Sequence, residues 1–420
     1  MLNNVRGGRI ELVDAIGHNT FGSDGALHAK VHVLCPRFYR KAFTGGPLAA
    51  AEAFIGGDWD CDDLTSLFRI FVRSAASTRK LDRSASWISK LRRRIVHRLR
   101  ANTKSGSRRN IAAHYDLGND FFRLWLDDTL AYSSGIFPGP ESTLREASVE
   151  KFERICRKLQ LSPNDHLLEI GTGWGGLAIH AAENYGCRVT TTTISRQQYE
   201  VARERIDSRG LSRRITLLSD DYRDLTGEFD KLVSVEMIEA VGHRNLDAFF
   251  GKCGELLKPH GSMLIQAIVM PEQDYSDYLR SVDFIQKYVF PGGCLPSIGA
   301  MLESTGRATD LRFVHCDDFG LHYAETLRRW RHAFHDRIDE VRQLGYTEEF
   351  LRLWEYYLCY CEAAFEEHCT SVVQVMFDKP GCRRSTSDFA RFPTSSVRFC
   401  SQTTEPKRNS DRFIAEGARG

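Results

Sequence analysis

Three glycines in a short turn are the residues of this chain best placed to bind a nucleotide-like ligand. Gly171, Gly173 and Gly176 follow the apolar run 167–170 and precede the helical pattern 177–182. A strand, a glycine turn and a helix N-terminus let a ligand approach the backbone closely, and the helix dipole favours acceptor atoms there. The spacing predicts a cofactor site on a parallel sheet, but it fits a dinucleotide as well as S-adenosylmethionine.

The ends of the next two strands favour S-adenosylmethionine. A nicotinamide site requires an acidic residue about 20 positions further on, at the end of the second strand. That strand ends in Thr193 and Ile194 without a carboxylate, whereas the third strand is followed by Asp220, Asp221 and Tyr222. An acidic residue next to an aromatic one at the end of the third strand suits the adenosine of S-adenosylmethionine better than a nicotinamide cofactor.

The elements around this turn alternate between strands and helices. Strands are predicted at 187–194, 215–218, 229–235, 263–268 and 371–377, and helices at 111–126, 144–161, 197–209, 246–257, 275–288, 323–342 and 347–367. The alternation predicts an α/β fold with a doubly wound parallel sheet, whose ligands bind beyond the carboxyl ends of the strands. Glu239 and Gln266 lie at or near two such ends, so we expect them to line one crevice with the glycine turn.

Composition is that of an ordinary cytoplasmic protein. The 420 residues are 42% hydrophobic and 27% charged, with a net charge of +2 that gives no global indication of nucleic acid. The twelve cysteines are scattered, which favours free thiols in a reducing compartment over a disulfide framework and gives no metal-ligand set. We find neither a membrane-spanning apolar run nor a signal sequence.

Four segments are predicted along the chain. Residues 1–78 form a small α+β domain without a catalytic constellation, and residues 79–110 form a basic linker. Residues 111–378 form the catalytic domain, and residues 379–420 form a polar tail, rich in Ser, Thr and Arg, that is predicted to be disordered.

The basic linker has twelve Lys and Arg residues against the single acid Asp82, with apolar residues from Trp87 to Leu99 at helical spacing. Such a helix suits an anionic membrane surface, where each basic side chain contributes on the order of 1 kcal/mol. A linker whose apolar face packs on its own protein explains the pattern equally well. Nucleic acid is disfavoured because no recognition module accompanies the basic run.

From Asn110 to about Phe377 the chain resembles the cyclopropane-fatty-acyl-phospholipid synthases and mycolic-acid methyltransferases. The matching stretches are 114–122, 132–134, 169–176, 193–195, 221–224, 290–297, 322–323 and 357–361, together with Glu239, all in the family's order. The resemblance implies a class I methyltransferase fold that uses S-adenosylmethionine. The first domain resembles the N-terminal domain of the phospholipid-acting branch, which implies an unsaturated phospholipid acyl chain as substrate and a peripheral location at the inner membrane face.

The resemblance also implies the cofactor contacts. Gln198 would bind the ribose hydroxyls that an acid usually holds, and Tyr222 would contact the adenine. The full set of matching positions is Tyr132, Ser133, Gly171, Gly173, Thr193, Ile194, Gln198, Asp221, Tyr222 and Arg223.

In this family the alkene attacks the sulfonium methyl, and a base then removes a proton from the added carbon to close a cyclopropane. The resemblance implies that the base is a bound bicarbonate-like ion, held by a Cys, a Glu, a His, a Tyr and a backbone group in a dry pocket. The corresponding residues here are Glu239, Tyr323, the Ile268 backbone, Ser134 in place of the Cys and Gln266 in place of the His, with Cys361 in the matching stretch 357–361.

The two replacements leave the product open. Ser and Gln can still donate hydrogen bonds to an anion, so the product can remain a cyclopropane. A titratable imidazole is lost, however, and impaired deprotonation would give a methylene- or methyl-branched chain instead. A homodimer and a separate reductase that completes a methyl branch are left open too.

Two other classes of function compete with this one. A methyltransferase acting on a small molecule or a protein could use the same fold, although the aromatic stretches 111–126 and 275–288 favour an apolar acceptor. A membrane-surface binding protein with a decayed active site is the non-enzyme alternative. The intact Gly171, Gly173, Glu239 and Tyr323 argue against decay.

Overall fold

The computed structural model describes residues 5–23, 25–78 and 117–384. The contacts within the chain separate the described residues up to 78 from those beginning at 117, giving two units. The predicted basic linker and residues 385–420 of the predicted tail lie outside the described residues. No helix in the described ranges is both long enough and apolar enough to cross a bilayer.

The first unit combines a small sheet with two helices. Its elements are β1 (Arg9–Val13), β2 (His18–Gly22), β3 (His28–Val33), α1 (Arg37–Ile55), β4 (Trp59–Cys61) and α2 (Leu64–Thr78), and the strand order is β2-β1-β3-β4. Helix α1 contains Pro47 within its span. Gly46 interrupts it with a φ of 64° and a ψ of −154°, and the fixed φ of Pro47 suits the first turn of the second half.

The second unit is built on a seven-stranded sheet. Its strands are β5 (His166–Ile170), β6 (Arg188–Thr192), β7 (Ile215–Leu218), β8 (Phe229–Val235), β9 (Leu257–Val269), β10 (Arg312–Asp318) and β11 (Ser371–Asp378), in the order β10-β11-β9-β8-β5-β6-β7. All neighbours are parallel except β11, which runs antiparallel to both β9 and β10. Chain order reverses at β5, between β6 and β8, and such a switch point creates a ligand crevice. The predicted parallel sheet is confirmed, and β10 is the strand that periodicity missed.

The helices of the second unit flank this sheet. They are α3 (Asn119–Arg123), α4 (Leu144–Leu159), α5 (Gly176–Tyr185), α6 (Arg196–Ser208), α7 (Leu246–Leu256), α8 (Glu272–Tyr278), α9 (Ile298–Ala308), α10 (Gly320–Asp336), α11 (Ile338–Gln343) and α12 (Glu348–Glu366). Three sequence predictions differ. In the described part of the predicted helix 111–126, only Asn119–Arg123 is helical. The predicted helix 275–288 is replaced by α8 and a separate π-helical turn at Ile285–Val289. The predicted helix 323–342 divides into α10 and α11.

Two apolar cores cover the two faces of this sheet. Leu168 and Ile265 belong to one core, whereas their neighbours Leu167 and Leu264 belong to the other. Successive side chains of a strand point to opposite faces, so strands buried on both faces must be apolar at almost every position. Polar side chains inside these strands, such as Gln266, are therefore exceptions that need partners.

Helix α4 brings charged residues into this interior. It begins with a capping box, in which the Thr143 hydroxyl accepts from the Glu146 backbone N–H and the Glu146 carboxylate accepts from the Thr143 N–H. Its buried face contains Lys151 and Lys158, whose side chains are 0% and 1% exposed. The cap therefore anchors a helix that delivers two ammonium groups to the core.

We expect Thr143→Ala to lower the free energy of unfolding of the second unit by about 1 kcal/mol, because it leaves a helix N–H without its acceptor. Urea titration followed by circular dichroism measures this change. Thr143→Ser keeps the hydroxyl and should retain most of the stability. Equal unfolding midpoints for the two variants would show that the cap does not stabilise α4.

Candidate active site

The glycine turn after β5 forms an open cradle. Gly171, Gly173 and Gly175 have φ values of 105°, 53° and 86°, which only glycine adopts readily. A Cβ atom added at Gly173 would meet nothing within 4 Å, whereas one added at Gly171 would lie 3.3 Å from Met237 Cβ. The turn thus leaves room for a ligand above Gly173 and contacts the segment after β8.

The ends of β6 and β7 place the other predicted cofactor residues. The Thr193 hydroxyl donates to Gln198 Oε1 at 2.9 Å, so the loop that carries Ile194 is tied to the first turn of α6. Arg223 donates twice to the Asp221 carboxylate, at 2.7 and 2.6 Å. The predicted Asp221 is thus engaged by a neighbouring side chain.

Tyr222 lies at this strand end with its ring against Phe249, and the Arg223 guanidinium lies 5.5 Å from the ring centre. Burial raises the pKa of Tyr222 to about 12, so its phenol is neutral at physiological pH. A neutral, half-buried aromatic ring at this position suits contact with a planar apolar group.

The stretch Tyr132, Ser133, Ser134 lies in the loop before α4. The Tyr132 and Tyr357 hydroxyls are hydrogen-bonded at 2.9 Å, and the Ser133 hydroxyl accepts from Lys151 Nζ at 2.6 Å. The Ser134 hydroxyl donates to the Gly135 carbonyl at 3.0 Å. Ser134 therefore offers its backbone N–H to the site, and its hydroxyl, the group expected from the sequence, is used elsewhere.

Glu236 is the centre of this site, and the sequence reasoning missed it. Its Oε1 accepts from the Ser134 N–H at 2.9 Å and from Gln266 Nε2 at 2.8 Å, and its Oε2 accepts from the Tyr323 hydroxyl at 2.8 Å. These three donors are the groups that the family resemblance assigned to an ion. The available signal was a second carboxylate three residues before Glu239.

The backbone of Glu236 is also unusual. Its φ of 48° lies in the left-handed region, where a side chain with a Cβ is rarely found. The Glu236 N–H donates to the Gln266 carbonyl at 2.8 Å, which fixes this conformation at the end of β8. Strained backbone of this kind is concentrated at functional sites.

Lys151 supplies the positive charge opposite Glu236. Burial lowers the pKa of Lys151 to about 8, and the negative charges of Glu236 and Asp127 oppose that shift. Burial likewise raises the pKa of Glu236, while the Lys151 charge and the hydrogen bonds from Gln266, Ser134 and Tyr323 lower it. The ammonium group and the donors therefore favour an ionised Glu236.

Glu239 occupies a different environment. Its Oε1 accepts from the Ile268 N–H at 2.6 Å, and its Oε2 is buried without a hydrogen-bond partner in the described part of the chain. Burial, followed by the charge of Glu236, raises the pKa of Glu239 to about 8. Burial therefore raises the pKa of both carboxyl groups of this loop, but Lys151 and three hydrogen-bond donors oppose the rise at Glu236, whereas the charge of Glu236 adds to it at Glu239.

The structure thus brings the predicted catalytic residues together, but in two groups. Ser134, Gln266 and Tyr323 bond to Glu236, and Ile268 bonds to Glu239. Burial raises the pKa of the Cys361 thiol far above its usual range, and this thiol lies within electrostatic range of Tyr323. It is a neutral neighbour of the site.

Comparison with known proteins identifies the family. Residues 102–375 match the family model described as mycolic acid cyclopropane synthetase. The chain belongs to this family. It is 38% identical over 342 residues to the tuberculostearic acid methyltransferase UfaA1 of Mycobacterium tuberculosis, covering 80% of this chain and 79% of that one. It is 36% identical over 360 residues to the cyclopropane-fatty-acyl-phospholipid synthase of Escherichia coli, covering 85% of this chain and 89% of that one.

Solved structures agree with this assignment. The cyclopropane synthase MmaA2 from Mycobacterium tuberculosis matches with a TM-score of 0.61 at 29% identity, over 65% of this chain and 98% of that one. The mycolic acid cyclopropane synthase CmaA1, complexed with SAH and CTAB, matches with a TM-score of 0.60 at 31% identity and the same coverage. The second unit is a class I methyltransferase fold, as the family resemblance implied. The family is one of S-adenosylmethionine-dependent enzymes that modify lipid chains.

The raised pKa of Glu239 predicts how the free energy of unfolding depends on pH. The unfolded carboxyl ionises near its ordinary pKa of 4.5, whereas the folded one ionises at about 8. Between these two pKa values Glu239 is protonated in the folded protein and ionised in the unfolded chain. The free energy of unfolding therefore falls as pH rises, by up to about 1.4 kcal/mol per pH unit. Glu239→Gln should flatten the dependence of the unfolding free energy on pH between 5 and 8.

Urea titrations at several pH values measure this slope. Glu228→Gln, which changes an exposed glutamate of the same unit, is the matched control and should retain the wild-type slope. A Glu239→Gln variant with the wild-type slope would show that Glu239 is already ionised in the folded protein at neutral pH.

Proposed function

We propose that this protein transfers the methyl carbon of S-adenosylmethionine to the cis double bond of an unsaturated acyl chain in a membrane phospholipid, giving a cyclopropane fatty acid. The hydrogen-bonded carboxylate of Glu236, beside the glycine turn, is the observation that carries the proposal. Similarity to the Escherichia coli synthase over 85% of the chain supports the phospholipid substrate.

The residues around the glycine turn fit the cofactor. Gly171 and Gly173 provide the open backbone, Thr193, Ile194 and Gln198 line the end of β6, and Asp221, Tyr222 and Arg223 line the end of β7. Tyr132 and Ser133, in the loop before α4, complete the set, and the Ser133 hydroxyl accepts from Lys151. When bound, S-adenosylmethionine supplies an electrophilic methyl group.

Glu236 removes the proton that the reaction must release. An alkene that accepts a methyl group becomes a carbocation, and ring closure requires a proton to leave the added carbon. Within the part of the chain that the structure describes, Oε1 of Glu236 has two donors, whereas Oε2 has only the Tyr323 hydroxyl. Oε2 therefore has the free lone pair and accepts the proton.

This role replaces the bicarbonate-like ion that the family resemblance implied. Ser134, Gln266 and Tyr323, the groups assigned to that ion, donate to a side chain of the protein instead. Lys151 lies close enough to offset the negative charge of Glu236. A carboxylate built into the chain makes a separate ion unnecessary for proton transfer.

A branched product is the second candidate, and the altered donor set favours it. A carboxylate held by three donors reaches protons in a narrow range of positions. If no proton leaves before a hydride shift moves the cation onto the carbon that carries the new methyl group, loss of a proton from that methyl group leaves a methylene branch for a separate reductase to reduce. The 38% identity to a tuberculostearic acid methyltransferase supports this alternative.

The lipids of cells that express the full chain test the proposal. A gain of CH2 on unsaturated chains, detected by mass spectrometry, is expected for both products. Proton NMR then separates cyclopropane protons from those of an exocyclic methylene. A lack of new lipid together with a lack of saturable S-adenosylmethionine binding would contradict the proposed function.

Glu236→Gln should reduce turnover at least about 100-fold, because an amide cannot accept the proton. Binding of S-adenosylmethionine, measured by calorimetry, should change little. Glu303→Gln, at an exposed position of α9, should retain wild-type turnover. Undiminished product formation by Glu236→Gln would assign proton removal to another group.

We also propose that the first unit docks on an anionic phospholipid bilayer. Ile16 and Phe43 are 93% and 91% exposed, and the Tyr39 hydroxyl of α1 donates to Asp14 in the hairpin that carries Ile16. In the first part of α1, Arg37 and Lys41 pair with Asp58, whereas Arg40 is exposed and presents its positive charge at the surface. We call Ile16, Tyr39, Phe43 and Arg40 the docking face.

The double change Ile16→Asp and Phe43→Asp should weaken binding to vesicles containing anionic phospholipid at least about tenfold, since two large apolar side chains lose their burial. Vesicle sedimentation measures this affinity. Leu344→Asp, which changes a half-exposed leucine of the second unit, is the control and should bind as wild type does. Unchanged binding by the double variant would exclude the docking face as the contact.

A further inference from the structure

A row of buried polar side chains runs from α4 to the Glu236 carboxylate. Lys158 Nζ donates to Gln374 Oε1 at 2.8 Å, Gln374 Nε2 donates to Gln266 Oε1 at 3.0 Å, and Gln266 Nε2 donates to Glu236 Oε1 at 2.8 Å. Gln266 and Gln374 are 0% exposed, and Lys158 is 1% exposed. We call these four residues the amide relay.

The sheet fixes the spacing of the amide relay. Gln266 on β9 and Gln374 on β11 are direct register partners, which places their side chains next to each other on the same face. Lys158 reaches this pair from α4 and also donates to Asp317 Oδ2 on β10 at 3.0 Å. Four separate elements therefore contribute one continuous line of hydrogen bonds.

The two ends of the amide relay determine the direction of both amides. An ammonium group can only donate and an ionised carboxylate can only accept, whereas an amide donates through its NH2 group and accepts through its oxygen. With Lys158 at one end, the Gln374 oxygen must face it, and the Gln374 NH2 must face Gln266. The Gln266 NH2 group is then left to point at Glu236.

The reversed arrangement of the two amides places an unfavourable contact at each end of the amide relay. If both amides were turned over, the Gln374 NH2 group would face the Lys158 ammonium, and the Gln266 oxygen would face the Glu236 carboxylate. Burial prevents water from relieving either contact, and an unmatched buried polar group costs about 1–3 kcal/mol. The positive charge of Lys158, two residues from Gln266 along the relay, thus determines that the Gln266 NH2 group faces Glu236.

We propose that Lys158 is a positioning residue for proton removal, acting through Gln374 and Gln266 to keep Oε1 of Glu236 hydrogen-bonded and one lone pair of Oε2 open to the substrate proton. This inference rests on the proposed function. It also explains how Gln266 can replace an imidazole: an amide held in one orientation donates as reliably as a ring N–H.

Gln374→Glu is the sharpest test, because it keeps the shape of the side chain and its bond to Lys158. A carboxylate at this position cannot donate to Gln266, so the Gln266 amide turns over and presents its oxygen to Glu236. Turnover should fall about ten- to a hundredfold, with little change in the KM for lipid or in S-adenosylmethionine binding. The acid limb of the pH–rate profile should move to higher pH, since the Gln266 hydrogen bond lowers the pKa of Glu236.

Lys158→Met should change turnover and pH profile in the same direction, because the amides lose the group that orients them. Lys258→Met removes a different Lys–Asp pair of this unit, with a distance of 2.8 Å to Asp230, and serves as the matched control. It should retain the wild-type pH profile. Unchanged turnover and an unchanged profile in Gln374→Glu would overturn the positioning role.

A second readout works without any turnover. Infrared difference spectroscopy of the full chain follows the titration of the Glu236 carboxyl band, identified by its loss in Glu236→Gln. We expect this titration to move to higher pH in Gln374→Glu and in Lys158→Met. If the wild type modifies lipids but the titration does not move in either variant, the amide relay is contradicted and the proposed function is not. If the titration moves in the variants but the wild type has no lipid activity, the proposed function is contradicted and the amide relay is not.

Discussion

A carboxylate can be buried in a protein only if donors and a positive charge compensate for the water that it loses. Glu236 meets this requirement with the Ser134 backbone, the Gln266 amide, the Tyr323 hydroxyl and the nearby charge of Lys151. The supporting groups come from the loop before α4, from α4 itself, from β9 and from α10. Much of the architecture of the second unit can therefore be understood as the means of holding these groups around one side chain.

The same requirement separates the roles of two glutamates only three residues apart. Glu236 has three donors and a neighbouring ammonium, whereas Glu239 has one donor and feels the negative charge of Glu236. Carboxyl groups whose surroundings push their pKa values apart commonly take different parts in a reaction. Here the donors and the ammonium group oppose the rise in the pKa of Glu236, and the charge of Glu236 adds to the rise at Glu239, which is the basis for proposing Glu236 as the proton acceptor.

The differences between this chain and the family pattern form a consistent set. Gln266 stands where the resemblance implies an imidazole, and it donates to Glu236, as Ser134 and Tyr323 do. An amide lacks a titratable proton, but it does not need one when its neighbour is a fixed carboxylate. Lys158 and Gln374 complete the set by fixing the direction of the amide.

The sequence by itself determined the features that depend on neighbouring residues. The glycine turn at Gly171 and Gly173, the alternation of strands and helices and the replacements at Ser134 and Gln266 could all be predicted, because turn chemistry, periodicity and residue identity are local. Only the tertiary structure revealed Glu236 as the centre of the site. Its partners are up to about a hundred residues away, and its φ of 48° follows from the bond to β9. The amide relay likewise exists only because β11 lies antiparallel beside β9, and a pairing between distant strands leaves no periodic signal in the sequence.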